Sequence, residues 1–289
     1  MRNRACFIPA PPGLQDWSPG AVSVSLHPGI DHSDFPASVG GMLVVRLLGS
    51  AFGPDGQALP AAALIGPSGS PMAFPSAGPL IAHGLLLSPQ AVMAITGVSN
   101  RWAAGGVTID LEAVRPGQAH ALRERLTLES TALARSDLLF DWLHAVVSAR
   151  PMIRHRAIAD IQLAAAIGRG LDPACRELGL GARQLQRRCL DVFGMSPHRI
   201  YAVLRMRSVL RQALGEPTQS GGAELALNHR YYDQSHLARD LRRLAGAPLG
   251  RIVVASEAPD DALWAFNIGR QQFSSRPGRS PGQVPGQGK

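Results

Sequence analysis

The chain has 289 residues, 45% of them hydrophobic, 17% charged and only 5% aromatic, with a formal net charge of +8. That length suits two domains whose cores must be aliphatic, and no apolar run approaches the roughly 20 residues that span a bilayer. Three scattered cysteines, Cys6, Cys175 and Cys189, are odd in number and lack metal-site spacing, which speaks against a disulfide framework or a zinc centre.

The charge is unevenly placed. Residues 1–150 carry 9 Lys+Arg and 10 Asp+Glu, whereas residues 151–289 carry 20 and 11, so the halves have net charges of −1 and +9. A general arginine bias would have raised both halves, so the second is the one an acidic polymer would attract. The N-terminus leads into Phe7-Ile-Pro-Ala-Pro-Pro12 and not into an apolar signal segment, and a soluble, cytoplasmic protein is expected.

Residues 1 to about 115 are rich in Gly, Pro, Ala and Ser. Short apolar runs at 21–26, 42–48, 80–87 and 91–98 lie between breakers such as Pro28-Gly29, Asp55-Gly56 and Gly78-Pro79. This spacing predicts short strands in a sandwich or barrel. From Gln118 the apolar period lengthens, through Leu122, Leu126, Leu139, Leu143 and Val146, which predicts two antiparallel helices breaking near 131–137. Their apolar stripe is a candidate dimerisation surface. Arg150-Pro151 marks the domain junction, because the residue before proline resists helix.

Helices are expected from about 155 to 252, and within them one pattern occurs twice. Leu185/Arg187 and Leu237/Arg239, with the closing glycines Gly194 and Gly246, share an offset of 52 residues. In the first unit Leu185, Cys189 and Val192 recur at helical spacing and should face a core. Arg183, Gln186 and Arg187 fall on the other side. Arginine can bridge guanine O6/N7 and glutamine adenine N6/N7, so these types suit base-edge reading. Ser196-Pro197, an N-cap followed by a first-turn proline, then opens a connector helix running to Leu214, with Gly215 as its C-cap. Such a rod is about 27 Å long and could hold two reading helices roughly one DNA turn, about 34 Å, apart.

The second unit has Ala226 where the first has Cys175, a turn one residue longer, and Asp233 as N-cap. Leu237, Leu241 and Leu244 form its core face, and Gln234, Ser235, His236 and Arg239 lie where bases could be touched. Arg188, Arg242 and Arg243 are better placed for phosphates, which fix register without reading sequence. Residues 256–289 are expected to form a flexible tail, since their Ser/Pro/Gly/Gln-rich end cannot bury a core.

These residues resemble the DNA-binding region of the AraC/XylS family of transcriptional regulators. The resemblance covers about 160–254 and rests on Leu-Gln-Arg-Arg-Cys-Leu-Asp-Val-Phe-Gly-Met-Ser-Pro in the first unit. In the second it rests on Tyr-Tyr-Asp-Gln-Ser-His-Leu-Ala-Arg-Asp-Leu-Arg-Arg-Leu-Ala-Gly. It implies promoter binding through both units, an effector-sensing or dimerising domain ahead of them, and RNA polymerase as a partner if the protein activates. It also implies base contacts by Arg183, Gln186, Arg187, Gln234, Ser235, His236 and Arg239. The segment 92–143 resembles, less closely, the sensor domains of one AraC-like subgroup. The chain departs from the family pattern in four places. Gly181 stands for a Ser or Thr cap, Cys189 for Phe, Arg230 for the turn glycine, and Pro248-Leu249 for Ser-Pro.

The expected architecture is therefore α+β. A β-rich sensor or dimerisation domain with trailing helices (1–150) precedes an all-α domain of two helix-turn-helix units on a long helix (151–255), then the tail. No nucleophile elbow, phosphate loop or dinucleotide fingerprint appears, and Lys289 is the only lysine. No catalytic residue, cofactor or metal is therefore expected, and no membrane partner. His27, His32 and His83 could meet in a barrel, but solvated loop positions are the plainer reading. The alternatives are an enzyme or small-molecule-binding protein whose basic half is only a scaffold, and a nucleoid-type binder without sequence choice.

Overall fold

The structure, a computed structural model, describes residues 3–215 and 222–274. The short apolar runs of the N-terminal half join one antiparallel sheet of seven strands. These are β1 (Arg4–Pro9), β2 (Gly20–Leu26), β3 (His32–Phe35), β4 (Gly41–Ala51), β5 (Ala62–Ile65), β6 (Met72–Leu87) and β7 (Thr108–Asp110). Their order is β1-β2-β6-β4-β5-β7, and β3 pairs with the first residues of β6. The run at 91–98 departs from expectation. It lies mostly in helix α1 (Pro89–Thr96), started by the Ser88 hydroxyl accepting from the Ala91 N–H and ended by left-handed Gly97.

Alternation along the strands gives the sheet two apolar faces. Ala21, Leu43, Val45, Leu85 and Leu87 point one way. They meet α1 and, beyond the one-turn α2 (Leu111–Val114), the antiparallel pair α3 (Gln118–Leu128) and α4 (Ala132–Ser148). Leu126, Leu139 and Leu143 are fully buried there, so the predicted helical stripe is spent on this sheet, leaving Leu128 and Leu133 exposed at its tip. Phe7, Val24, Leu26, Leu80 and Ala82 point the other way.

His83 on β6 sits between the sheet and α4, 1% exposed, with Nε2 3.0 Å from the Ser136 hydroxyl. Burial, helped by Arg135, pushes its pKa down to about 4. An unfolded histidine titrates near 6.5, so below that pH the unfolded chain holds the extra proton. Stability should be full above pH ~6.5 and fall by roughly 1.4 kcal/mol per unit as pH drops toward 4. Denaturant titrations across that window should show this slope flattened in His83→Asn; an equal slope would mean that the ring is hydrated. His32 instead lies at the surface beside Asp31 and Asp34, and His27 is exposed, whereas His83 is enclosed, so the three histidines form no metal-binding group. Among the described residues no cluster of His, Cys, Asp or Glu could hold a metal ion.

The second half is helical: α5 (Pro151–Arg169), α6 (Leu171–Leu178), α7 (Ala182–Phe193), α8 (Pro197–Gly215), α9 (Gly222–Asn228), α10 (Gln234–Ala245), α11 (Leu249–Ala255) and α12 (Ala265–Ser274). Its core joins Leu163, Ile167, Leu185, Ile200, Met206 and Leu241, and it also takes in Ala37 and Val39 from the N-terminal half. The expected tail is corrected over 256–274. Trp264, Phe266 and Ile268 are buried, and α12 covers the open face of the sheet. The apolar residues that make this possible precede the low-complexity stretch, most of which (275–289) lies outside the described residues. No helix among the described residues is long and apolar enough to cross a membrane.

Candidate nucleic-acid interface

In the first unit α6 ends at left-handed Gly179, and the chain closes the turn with the Leu180 N–H bonded to the Cys175 carbonyl. Gly181 caps α7 without a side chain of its own; the Gln184 side chain accepts its N–H at 2.9 Å instead. Leu185, Cys189, Val192 and Phe193 are buried, and burial pushes the Cys189 thiol up to about 12. Arg183, Gln186 and Arg187 are exposed on the opposite face, as helical periodicity predicts. Arg188 is half-buried, its guanidinium 3.6 Å from Asp160 on α5.

The second unit repeats the plan with one insertion. The Tyr231 N–H bonds to the Ala226 carbonyl as Leu180 does to Cys175, and the extra residue is Tyr232, almost wholly exposed. Asp233 caps α10 by accepting from the His236 N–H at 2.7 Å. Leu237, Leu241 and Leu244 are buried, while Gln234, Ser235, Arg239, Arg242 and Arg243 are exposed. His236 is half-buried, its ring edge-on to Tyr231 at 5.2 Å. Arg243 is also engaged, bonding Asp240 at 2.7 Å.

Arg230 occupies the turn with φ +60°, the one positive-φ non-glycine among the described residues. An L side chain in that region costs roughly 1–2 kcal/mol. Its guanidinium donates to the Arg169 carbonyl from an exposed position, which returns little. Arg230→Gly should therefore raise thermal stability, by about 0.5–1 kcal/mol; a lower Tm would show that the contact with α5 outweighs the strain.

Position 52 residues after Arg188 is Asp240, which pairs with Arg205 on α8 at 2.7 Å as well as with Arg243. Each reading helix is thus tied by one charge to a supporting helix, with the signs exchanged. Burial raises the Asp240 carboxyl, but hydrogen bonds from Arg243 and Arg205 outweigh it and hold the pKa below its ordinary value. Arg205 also lies over the Tyr231 ring, 3.8 Å from its centroid. Ser196 precedes α8, its carbonyl accepting from Ile200, and α8 packs against both α7 and α10.

Both reading helices end against the N-terminal half, which sequence reasoning missed. The Asp191 carbonyl accepts from the Ser99 hydroxyl (2.9 Å) and the Asn100 N–H (3.0 Å), and the Val192 carbonyl accepts from the buried Asn100 amide (2.6 Å). The Leu244 carbonyl of α10 accepts from the Ala37 N–H at 2.7 Å.

Between the sheet, α8 and α12 lies a cavity of about 700 Å³. Val24, Phe74, Leu86, Leu210, Trp264 and Phe273 represent its apolar walls. Arg46, whose guanidinium donates to the Leu59 and Pro60 carbonyls, Arg207 and Arg211 line it too, and among the described residues no Asp or Glu does. Desolvation, then the nearby Arg211, lowers the Arg207 pKa below its ordinary value. No ion pair to Arg207 or Arg211 occurs among the described residues.

The family described as Helix-turn-helix domain matches residues 174–252, which span α7, α8 and α10. No curated protein matches the chain. Similar solved structures are those of ToxT from Vibrio cholerae. The apo form of a variant from strain SCE256 is 11% identical, covering 81% of this chain and 96% of that one, with TM-score 0.48. ToxT bound to (E)-4-(8-methylnaphthalen-1-yl)but-3-enoic acid is 10% identical, covering 87% and 98%, with TM-score 0.46. Wild-type ToxT bound to an unsaturated fatty acid is 11% identical, covering 80% and 95%, also with TM-score 0.46.

Proposed function

We propose that this chain, which carries an AraC-type helix-turn-helix domain at residues 174–252, is a sequence-specific transcriptional regulator and not an enzyme. The observation that carries the reading is the repeated pair α7 and α10. Each buries an aliphatic face and exposes Arg183, Gln186 and Arg187, or Gln234, Ser235 and Arg239, and both pack on α8. His236 completes the second reading face, and Arg188, Arg242 and Arg243 supply phosphate contacts. For Arg188 and Arg243 this means exchanging a carboxylate partner for DNA. Residues 151–255 read DNA under this assignment, and residues 1–150 sense. Genomic fragments selected on the purified protein should share a bipartite site, with affinity falling steeply with salt. Equal affinity for random and selected duplexes would reduce it to a non-specific binder.

The cavity suggests the effector. Its volume falls within the range of small-molecule sites. Apolar walls with the guanidinium groups of Arg207 and Arg211 and, among the described residues, no carboxylate fit an apolar anion, an alkyl or aryl carboxylate, better than a neutral or cationic ligand. Dodecanoate should raise the Tm where dodecanol does not, and Arg207→Gln should weaken its binding by about 10- to 100-fold. Equal binding of the acid and the alcohol would remove the arginines from recognition. A homodimer would use the tip of α3–α4, where Leu128 and Leu133 are exposed. Sedimentation of Leu128→Asp beside the parent chain tests it.

A further inference from the structure

Helix α12 lies beyond the matched helix-turn-helix segment, yet it contacts both the sheet and α8. At its leading end the Trp264 indole donates to the Ser33 hydroxyl at 2.8 Å, and the Asp34 N–H donates to the Ala262 carbonyl at 2.8 Å. At its far end Gln271 reaches β1, the outermost strand. Its amide oxygen accepts the Phe7 N–H at 2.8 Å and its amide nitrogen donates to the Ala5 carbonyl at 2.9 Å. One side chain thereby satisfies two backbone groups on an edge that would otherwise lie open. Two residues on, the Phe273 ring lies 6.0 Å from the Arg207 guanidinium and 5.9 Å from that of Arg211. The fit is close, for a Cβ placed on Gly215, the last residue of α8, would stand 3.1 Å from the Phe273 Cβ.

We propose that α12 is a strap, closed by a ligand in the cavity, that transmits occupancy from the sheet to α8 and so to the second reading unit. This rests on reading the cavity as an effector site. The geometry supports it because no single element encloses the cavity: Val24 and Leu86 come from the sheet, Met206 and Leu210 from α8, Ile268 and Phe273 from α12, and Trp264 from just ahead of it. A ligand that touches all three walls binds more tightly while α12 is seated, so its binding free energy stabilises the seated arrangement. Arg207 and Arg211 repel each other beneath Phe273. An anion between them removes that repulsion and leaves their faces to the ring. DNA and ligand are then reciprocally coupled through α8.

The test is hydrogen exchange on the full chain with dodecanoate as probe. In the parent chain dodecanoate should slow exchange across 265–274 and across 207–215 by about tenfold or more, and it should shift affinity for selected DNA by about tenfold. Gln271→Ala lies outside the cavity lining and removes both bonds to β1. This variant should still bind dodecanoate saturably, but exchange at 265–274 and DNA affinity should no longer respond, shifting less than about twofold. Saturable binding with no slowing at 207–215 in the parent chain overturns the strap and leaves the effector site standing. A Gln271→Ala chain that responds like the parent does the same. No saturable binding to the parent chain overturns the effector reading, and the strap with it. The parent-chain experiment needs no substitution and decides the matter even if the variant fails to fold.

Discussion

An Arg187→Ala chain should lose about 10- to 100-fold in affinity for its selected site, and the loss should map to a single window of the footprint. Arg187 is exposed on α7, and among the described residues no carboxylate pairs with it. Its guanidinium is therefore available for the two acceptors of a guanine edge, and each such bidentate pair contributes roughly 1–3 kcal/mol of discrimination. Arg239→Ala should do the same in the other window, about one helical turn away. Arg242→Ala should instead weaken all sequences alike and flatten the salt dependence by about one unit of slope, since phosphate contacts carry no sequence information. Footprinting and competition with point-substituted sites separate the two results. If Arg187→Ala and Arg239→Ala also weaken every sequence equally, neither residue reads a base.

Asp240→Ala should cost about 3–5 kcal/mol of folding stability, the penalty for stripping one partner from a buried pair. The Asp240 side chain is 7% exposed and that of Arg205 14%, and the carboxylate is shared with Arg243. Removing it strands the Arg205 guanidinium against Tyr231. The double variant Asp240→Ala/Arg205→Met should recover much of the loss, since no buried charge is then left alone. The pH dependence has a definite sign. The folded pKa of Asp240 is depressed, and the unfolded value is about 3.9. The stabilisation is therefore full above about pH 4 and is lost as pH falls through the lower folded value. Urea titrations of parent and variant should converge only below that point; a gap that persists in strong acid would mean that packing, not charge, carries the effect.

The second half was legible because its signals are local. Gly179, Gly194 and Gly246 all adopt the left-handed turn conformation, Ser196 and Asp233 open the helices they were expected to open, and a period of 3.6 assigned the exposed faces of α7 and α10. Local signals also misled. Ser88-Pro89 has the same start signature as Ser196-Pro197, but the mostly apolar run 91–98 after it reads equally well as a strand. α12 was hidden for another reason: Trp264 and Ile268 form a face only against the far side of the sheet, whose strands lie far back in the sequence. Nothing in the sequence sets Arg207 and Arg211 apart from the other arginines of α8. The Arg188–Asp160 pair joins positions 28 residues apart and leaves no trace in spacing.

Because residues 37 and 99–100 cap the ends of both reading helices, the apparent seam at 150/151 does not divide two exchangeable modules. A transplant of residues 151–289 onto a foreign sensor would bare the carbonyls of Asp191, Val192 and Leu244 and uncover the apolar patch that Ala37 and Val39 fill. Grafts designed for biosensors should carry these two short segments across together with the helices. Natural recombination within this lineage would face the same steric bookkeeping, so the two halves are expected to travel as one inheritance.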